Sequence, residues 1–274
     1  MNQKALIIGG DKRQEYLKNE LEGKFSEVFH LRYPADMWVL EEIESFSHII
    51  LPLPLSKDGE DIYSSDNLRL ELSDLLSYIQ PCHKVFGSGF DCKTLDYFED
   101  KQIDYCDFMK DKTFKRVNAY LTAQGALRLI LNGTDDYIVG KKVLIIGFGD
   151  VAETLAEKLK SNGMDVYITA RNKRKLGLAT LNGYKTIALP SLSSCIYLFD
   201  YVVGTVPANL LTLSDITRME DNSIYLELAS APYTAKAEDF KTASKNYING
   251  SGLPGRFLPL ASGKLLADFI LNNI

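Results

Sequence analysis

Histidine is scarce in this chain: three among 274 residues, His30, His48 and His83, with none in the remaining two thirds. They lie too far apart to spell a metal centre, and no Ser-His-Asp or Cys-His arrangement is legible around them. The four cysteines, Cys82, Cys92, Cys106 and Cys195, contain no CxxC and no metal-like spacing. That excludes a zinc framework and makes reduced thiols in a cytoplasmic chain the simplest expectation. No apolar run approaches the roughly 20 residues of a membrane-spanning helix. The opening MNQKALIIGGDKRQ enters a strand at once, without the layout of a signal peptide. Excess positive charge is missing too. The formal net charge is −5, which argues against a general nucleic-acid or membrane-surface partner.

What remains is ordinary globular material, 46% hydrophobic and 24% charged, of a length that favours two domains. In the first half, short apolar runs at 4–10, 28–31, 48–54, 84–89 and 103–108 read as strands. A helix follows the first run, and DNLRLELSDLLSYI (66–79) has helical spacing with Asp66 as its expected N-cap. Strands alternating with helices predict a parallel sheet. A long helix over 115–131 stops at Asn132-Gly133. The second half repeats the pattern with strands at 142–147, 165–169, 184–187, 200–204, 223–228 and 246–249. The predicted fold is α/β with two α/β domains, the second a Rossmann-type doubly wound parallel sheet. The expected boundaries are an N-terminal α/β substrate domain at 1–116, a linking helix at 117–139 and a dinucleotide-binding domain at 140–257. A terminal helix at 258–274 is expected to return to the first domain.

The motif that carries chemistry is IIGFGDVA, with glycines at Gly147 and Gly149 and a small residue at Ala152. Gly147 permits the tight turn after a strand, Gly149 lets backbone approach a pyrophosphate, and Ala152 allows close helix–sheet packing. Phe148, Asp150 and Val151 complete the turn. Asp150 is awkward, because a carboxylate there repels phosphate unless it points away, and capping the helix is its alternative role. The second strand of such a unit, VYITA, would end near an Asp or Glu if the ligand were NAD, since a carboxylate accepts hydrogen bonds from the adenosine ribose. Here the next residues are RNKRK, four cations and no acid. An NADP 2′-phosphate carries nearly two negative charges and pairs with an Arg fork, so Arg171, Asn172 and Arg174 are the candidates to read it. The competing reading of this run is a solvated start to a surface helix. The loop after the fourth strand of the unit supplies Thr205, Val206 and Pro207 as a further cofactor wall.

In the first half, GGDKRQ (9–14) and ILPLPLSKDGEDIYS (50–64) leave strand C-termini, where doubly wound folds bind ligands. Asp11, Arg13 and Ser56 are expected to converge on a small carboxylated substrate, with Arg13 forking onto one carboxylate. No residue can be named as a proton acceptor, and the catalytic residue stays unknown. Hydride transfer asks for none, because the cofactor performs the chemistry.

In order and spacing, IIGGDKRQ, ILPLPLSKDGEDIYS, NAYLTAQGAL, VLIIGFGDVAETLA with VYITAR, LELAS and GLPGRFLPLASGKLL resemble the A-subunit family of dipicolinate synthase over nearly the whole chain. The resemblance implies oxidation of a dihydropyridine dicarboxylate with NADP during sporulation, in the cytoplasm of the mother cell, together with a flavoprotein-like B subunit. It places Thr122, Gln124 and Ser230 in the substrate cleft beside Asp11, Arg13 and Ser56, and it is compatible with a homo-oligomer. The sequence departs from the family pattern at Asp150 and Ala152, at Gln124 where a carboxylate is usual, and at Tyr233-Thr234 where two glycines are usual. It departs again late in the chain, where Pro259, Leu260, Ala261, Ser262 and Gly263 lack the usual Thr. A non-catalytic nucleotide-binding or scaffold paralogue therefore stands as the alternative. A dehydrogenase of the 2-hydroxyacid type wants a late histidine, and none follows His83.

Overall fold

The computed structural model describes residues 3–274. KALII forms β1 (Lys4–Ile8), whose alternating side chains enter two different cores. Leu6 and Ile8 join one cluster, Ala5 and Ile7 the other, so the strand is apolar at every position after Lys4. The chain continues through α1 (Lys12–Leu21), β2 (Glu27–Leu31), a 3-10 segment (Pro34–Ser45) and β3 (His48–Ile50). Then come α2 (Leu72–Tyr78), β4 (Lys84–Gly87), α3 (Cys92–Asp100) and β5 (Asp104–Asp107). The five strands are all parallel in the order β2-β1-β3-β4-β5, and the order reverses between β1 and β3. Helix α4 (Lys112–Asn132) leads to the second sheet.

That sheet is built from β6 (Lys142–Ile146), β7 (Asp165–Ala170), β8 (Lys185–Ala188), β9 (Tyr201–Gly204), β10 (Ile224–Glu227) and β11 (Asn246–Asn249). Between and after them lie α5 (Asp150–Ser161), α6 (Lys173–Leu181), the short α7 (Leu192–Cys195), α8 (Leu213–Thr217), α9 (Ala237–Thr242), α10 (Leu253–Phe257) and α11 (Pro259–Leu271). The strand order is β11-β10-β9-β6-β7-β8, again all parallel. This is the Rossmann order, with its reversal between β6 and β9. The α/β class and the doubly wound second sheet are as the sequence predicts.

The chain divides into two units, one of residues up to Asn118 with Pro254–Ile274, the other Ala119–Leu253. The cut at 118/119 falls inside α4. In the first unit α11 lies on α1. Leu266, Ala267 and Ile270 share a buried cluster with Leu17 and Leu21 of α1 and with Phe86, Phe108 and Phe114. Gly263 makes that approach possible, since a β-carbon there would lie 2.8 Å from the Arg13 carbonyl oxygen and 2.7 Å from the Tyr16 β-carbon.

Two expected elements are shorter than the sequence suggests. The strand starting at His48 ends at Ile50, because Pro52 and Pro54 have no N–H to offer a neighbouring strand. The helix expected from Asp66 starts only at Leu72. Residues 66–71 form no helix, with Leu68 and Leu70 buried and the Ile62 amide donating to Leu70 O at 2.9 Å. Asp66 caps nothing there; its carboxylate takes the Arg32 Nε at 3.0 Å. Leu68, Leu70, Leu72 and Leu75 satisfy a period of two at first and a helical spacing later, and burial selected the break.

Gly263 gives a test of this packing. Gly263→Ala gains roughly 1 kcal/mol of helix propensity, yet it forces α1 and α11 apart at a cost of about 1–3 kcal/mol. The expected outcome is a lower midpoint in denaturant unfolding, opposite in sign to propensity alone.

Candidate dinucleotide-binding site

The reversal between β6 and β9 opens a crevice beyond the strand C-termini, where doubly wound sheets bind ligands. The turn after β6 is fixed by Gly147, whose φ of +111° favours glycine and whose amide donates to Thr169 O at 2.7 Å. A side chain there would strike Thr205 Oγ1 and Val206 Cγ2. Thr205 in turn donates to Ile146 O through its backbone amide at 3.1 Å and its hydroxyl at 2.8 Å. Gly147, Thr205 and Val206, chosen from two distant stretches of sequence, are thus one contact. Pro207 follows them on the exposed side.

Gly149 is the N-cap of α5, extended at φ −104°, and space is open where its β-carbon would stand. The first-turn N–H groups of α5 have no carbonyl within their own helix, so they and this vacancy form a cradle that fits a pyrophosphate. Asp150 is the first residue of the helix and exposed, so the capping role considered for it belongs to Gly149. Phe148 is buried edge-to-face on Tyr184, centroids 6.0 Å apart, and offers a ligand backbone only. Val151 is half-buried, and Ala152 is packed at 1% exposure.

At the end of β7, Asn172 caps α6, accepting the Arg174 amide at 2.9 Å and that of Lys175 at 3.4 Å. Its carbonyl oxygen is therefore committed. Arg171, Lys173, Arg174 and Lys175 are exposed, and none forms an ion pair among the described residues. This is a concentrated positive charge on an acidic protein, one strand away from the phosphate cradle.

The loop after β10 holds the residues that sequence reasoning missed. Glu227 is fully buried at the strand's end. Its Oε1 accepts the Ala229 amide at 2.9 Å, and its Oε2 accepts the Tyr225 hydroxyl at 2.8 Å and the Ala235 amide at 3.1 Å. Burial pushes the Glu227 carboxyl upward, and the donors pull it part of the way back. Burial, and then the neighbouring carboxylate, hold the Tyr225 phenol well above its ordinary value, so it stays a donor. The available signal was an acid set inside the apolar run IYLELA. Ser230 sits exposed in the same loop. Thr122 and Gln124 lie on α4 in this unit, half-buried and exposed respectively.

The equivalent switch point of the first unit, between β1 and β3, is filled by the protein itself. Arg13, only 4% exposed, donates Nε to Asp11 Oδ1 at 2.8 Å and Nη2 to Asp11 Oδ2 at 2.8 Å, and Nη2 also donates to Leu53 O. The fork expected to hold a substrate carboxylate is closed on Asp11. Asp11 is also the N-cap of α1 in a capping box with Gln14, a pattern legible as D-x-x-Q. The Tyr63 hydroxyl donates to Asp11 Oδ2 at 3.3 Å, and Lys57 lies over the Tyr63 ring at 4.0 Å. Ser56 does not join them. Its hydroxyl donates to Asp58 Oδ1 at 2.8 Å and accepts the Gly59 amide at 2.9 Å within its own exposed loop. Burial alone would raise the Asp11 carboxyl, but the hydrogen bonds and charge of Arg13 outweigh it and hold the group below the usual range.

The second unit matches the family model described as the S-adenosyl-L-homocysteine hydrolase NAD-binding domain, over residues 118–248. With the glycine turn and strand order, this match supports a nicotinamide dinucleotide as the ligand of the second unit. Residues 4–109 match the family model for the N-terminal domain of the dipicolinate synthase A chain. The corresponding dipicolinate synthase polypeptide of Bacillus subtilis is 26% identical over 97% of this chain and 94% of its own length. The crystal structure of its counterpart from Bacillus halodurans superposes with a TM-score of 0.87, at 19% identity, covering 100% of this chain and 98% of the other. D-lactate dehydrogenase of Escherichia coli shares the fold at a TM-score of 0.70 and 12% identity, covering 99% and 96%. The chain is thus a divergent relative of the dipicolinate synthase A family along nearly its whole length. No helix among the described residues is long and apolar enough to cross a membrane.

Arg13→Leu tests the internal ion pair. It leaves the half-buried Asp11 carboxylate without its cation, with only the Tyr63 hydroxyl and a backbone amide as donors, a loss of about 1–3 kcal/mol at neutral pH. Asp11 is depressed in the native fold, so its stabilisation is present above its unfolded value near about pH 4 and is lost as pH falls through the folded value. The gap between wild type and variant in urea unfolding is therefore expected to be widest at neutral pH and to close on acidification.

Proposed function

We propose that this chain is an NADP-linked oxidoreductase component of the dipicolinate synthase A kind, oxidising a dihydropyridine dicarboxylate to the aromatic diacid. The observation that carries the cofactor choice is the set of unpaired cations after β7, Arg171 and Arg174 above all, with no acid to receive a ribose hydroxyl. When bound, the oxidised dinucleotide supplies the hydride acceptor. The chain's own residues hold it: the α5 N-terminus and Gly149 at the pyrophosphate, Arg171 and Arg174 at the 2′-phosphate, and Thr205 and Val206 as a wall. The whole-length kinship to dipicolinate synthase A supports the substrate class. In this reading Thr122, Gln124 and Ser230 are assigned to the substrate by the family resemblance alone, while Arg13 and Asp11 are closed on each other and Ser56 on Asp58. Partnership with a flavoprotein-like second polypeptide, and work in the mother cell during sporulation, belong to the same proposal.

One observation favours a second reading, a nucleotide-binding protein without turnover of its own. The cation that would fork onto a substrate carboxylate is already closed on Asp11. Calorimetric titration with dipicolinate at saturating NADP, and turnover assayed with and without the flavoprotein-like partner, separate the two. Dipicolinate binding and reduced-nicotinamide formation support the enzyme; nucleotide binding with neither supports the second reading.

Two substitutions test the cofactor assignment. Arg171→Ala is expected to weaken NADPH by tenfold or more, because a charge-assisted contact contributes about 1.5–3 kcal/mol, while NADH affinity stays nearly constant. Equal weakening of both would remove Arg171 from the phosphate site. Asp150→Arg exchanges a repelling charge at the helix start for an attracting one and is expected to tighten both nucleotides, as read by fluorescence titration.

A further inference from the structure

The loops that leave β9 and β10 are joined through one residue, Thr234. Thr234, with no exposed surface, donates its hydroxyl to Val206 O at 2.8 Å and accepts the Val206 amide at 3.1 Å. Its own carbonyl accepts the Leu210 amide at 2.8 Å and the Leu211 amide at 3.3 Å. One threonine therefore bonds both backbone groups of Val206, whose carbonyl also accepts the Ala208 amide at 2.8 Å, and fastens the far end of the 205–211 loop. No backbone ladder reaches this region, since β9 has ended at Gly204. Gly204 leaves the room for it: a β-carbon there would come within 2.7 Å of Thr234 Cβ and strike the Tyr225 hydroxyl.

Thr234 is itself held from behind. Glu227 gathers the Ala229 and Ala235 amides onto one carboxylate, so the 229–235 loop begins and ends on the same buried side chain. Tyr225 steadies that carboxylate and is packed on Phe240 and Tyr247, with ring centroids 4.6 and 5.7 Å away. The line of contacts runs from Glu227 to Thr234, then to Val206 and Thr205, and ends at the Gly147 turn. Every member before Gly147 lies outside the glycine motif.

We propose that Glu227 and Thr234 are positioning residues, which hold the 205–211 and 229–235 loops as one preformed wall beside the Gly147 turn for the dinucleotide. This rests on the nucleotide-binding reading of the second unit. A wall already fixed spares the ligand the loss of loop entropy on binding, so it acts on affinity without touching the ligand. It also gives the Tyr233-Thr234 position, where the sequence departs from its family, a structural duty: Thr234 supplies side-chain bonds that glycine lacks.

The test compares Thr234→Val, which keeps the shape and removes both hydroxyl bonds, with Thr234→Ser, which restores them. Val166→Ala, in the core at the opposite end of β7, serves as a destabilised control. NADPH affinity by calorimetry and thermal midpoint are measured for each, with hydrogen exchange at the Val206, Leu210, Ala229 and Ala235 amides. Expected is about tenfold weaker NADPH binding in Thr234→Val, recovery to within about threefold in Thr234→Ser, and near wild-type affinity in Val166→Ala. Thr234→Val should also speed exchange in both loops. Unchanged affinity in Thr234→Val overturns the proposal, as does equal weakening in Val166→Ala at matched stability. If the wild type binds no dinucleotide, the nucleotide reading falls, and exchange alone decides whether the wall is coupled: unaltered Ala229 and Ala235 amides in Thr234→Val overturn it.

Discussion

Gly147 brings the end of β6 so close to Thr205 and Val206 that no side chain fits between them. This approach fixes the crevice of the second unit, because it sets where β6 stops, where α5 starts and how the exit of β9 passes in front of them. The open space at Gly149 follows from the same turn. The cations after β7 matter only because β7 pairs with β6 and ends beside it. The crevice is therefore made by backbone proximity more than by the side chains on its rim.

The two units apply one topological rule to opposite ends. Both sheets reverse strand order beside their first strand, and in both the reversal parts the loops that follow the strands. In the second unit those loops leave helix N–H groups and positive charge facing outward. In the first they are tied inward, with Asp11, Arg13, Tyr63 and Leu53 O satisfying one another. A buried ion pair of this kind adds little net stability but is costly to break, so it fixes local geometry. Its place against Gly255, whose β-carbon would lie 2.6 Å from Asp11 Oδ2, shows what it fixes: α10 can pass over the pair only as glycine.

Two carboxylates, Asp11 half-buried and Glu227 fully buried, thus organise the two units in similar fashion. Asp11 gathers the start of α1 and the Tyr63 hydroxyl, and Glu227 gathers both ends of the loop after β10. Each accepts from backbone amides and from a tyrosine hydroxyl. The difference lies in compensation. Asp11 has a guanidinium beside it and sits below the usual carboxylate range, whereas Glu227 has only neutral donors and is raised.

The sequence by itself determined the alternation of strands and helices, the doubly wound second sheet, the glycine turn and the positive end of β7. These are local patterns: apolar runs, a glycine spacing and a charge run are properties of neighbouring residues. The capping box at Asp11 was equally local, and reading it would have shown Asp11 turned toward its own helix. What only the tertiary structure decided involves partners far apart along the chain. Arg32 pairs with Asp66 outside the helix that the leucine spacing suggested, and Leu68 and Leu70 are buried in the core without forming that helix. Thr234 and Val206 are separated by 27 intervening residues, yet they meet because β9 and β10 lie side by side in the sheet. Hydrogen bonds of that kind leave no periodicity in a sequence, since their energy depends on a register that exists only once the sheet has formed.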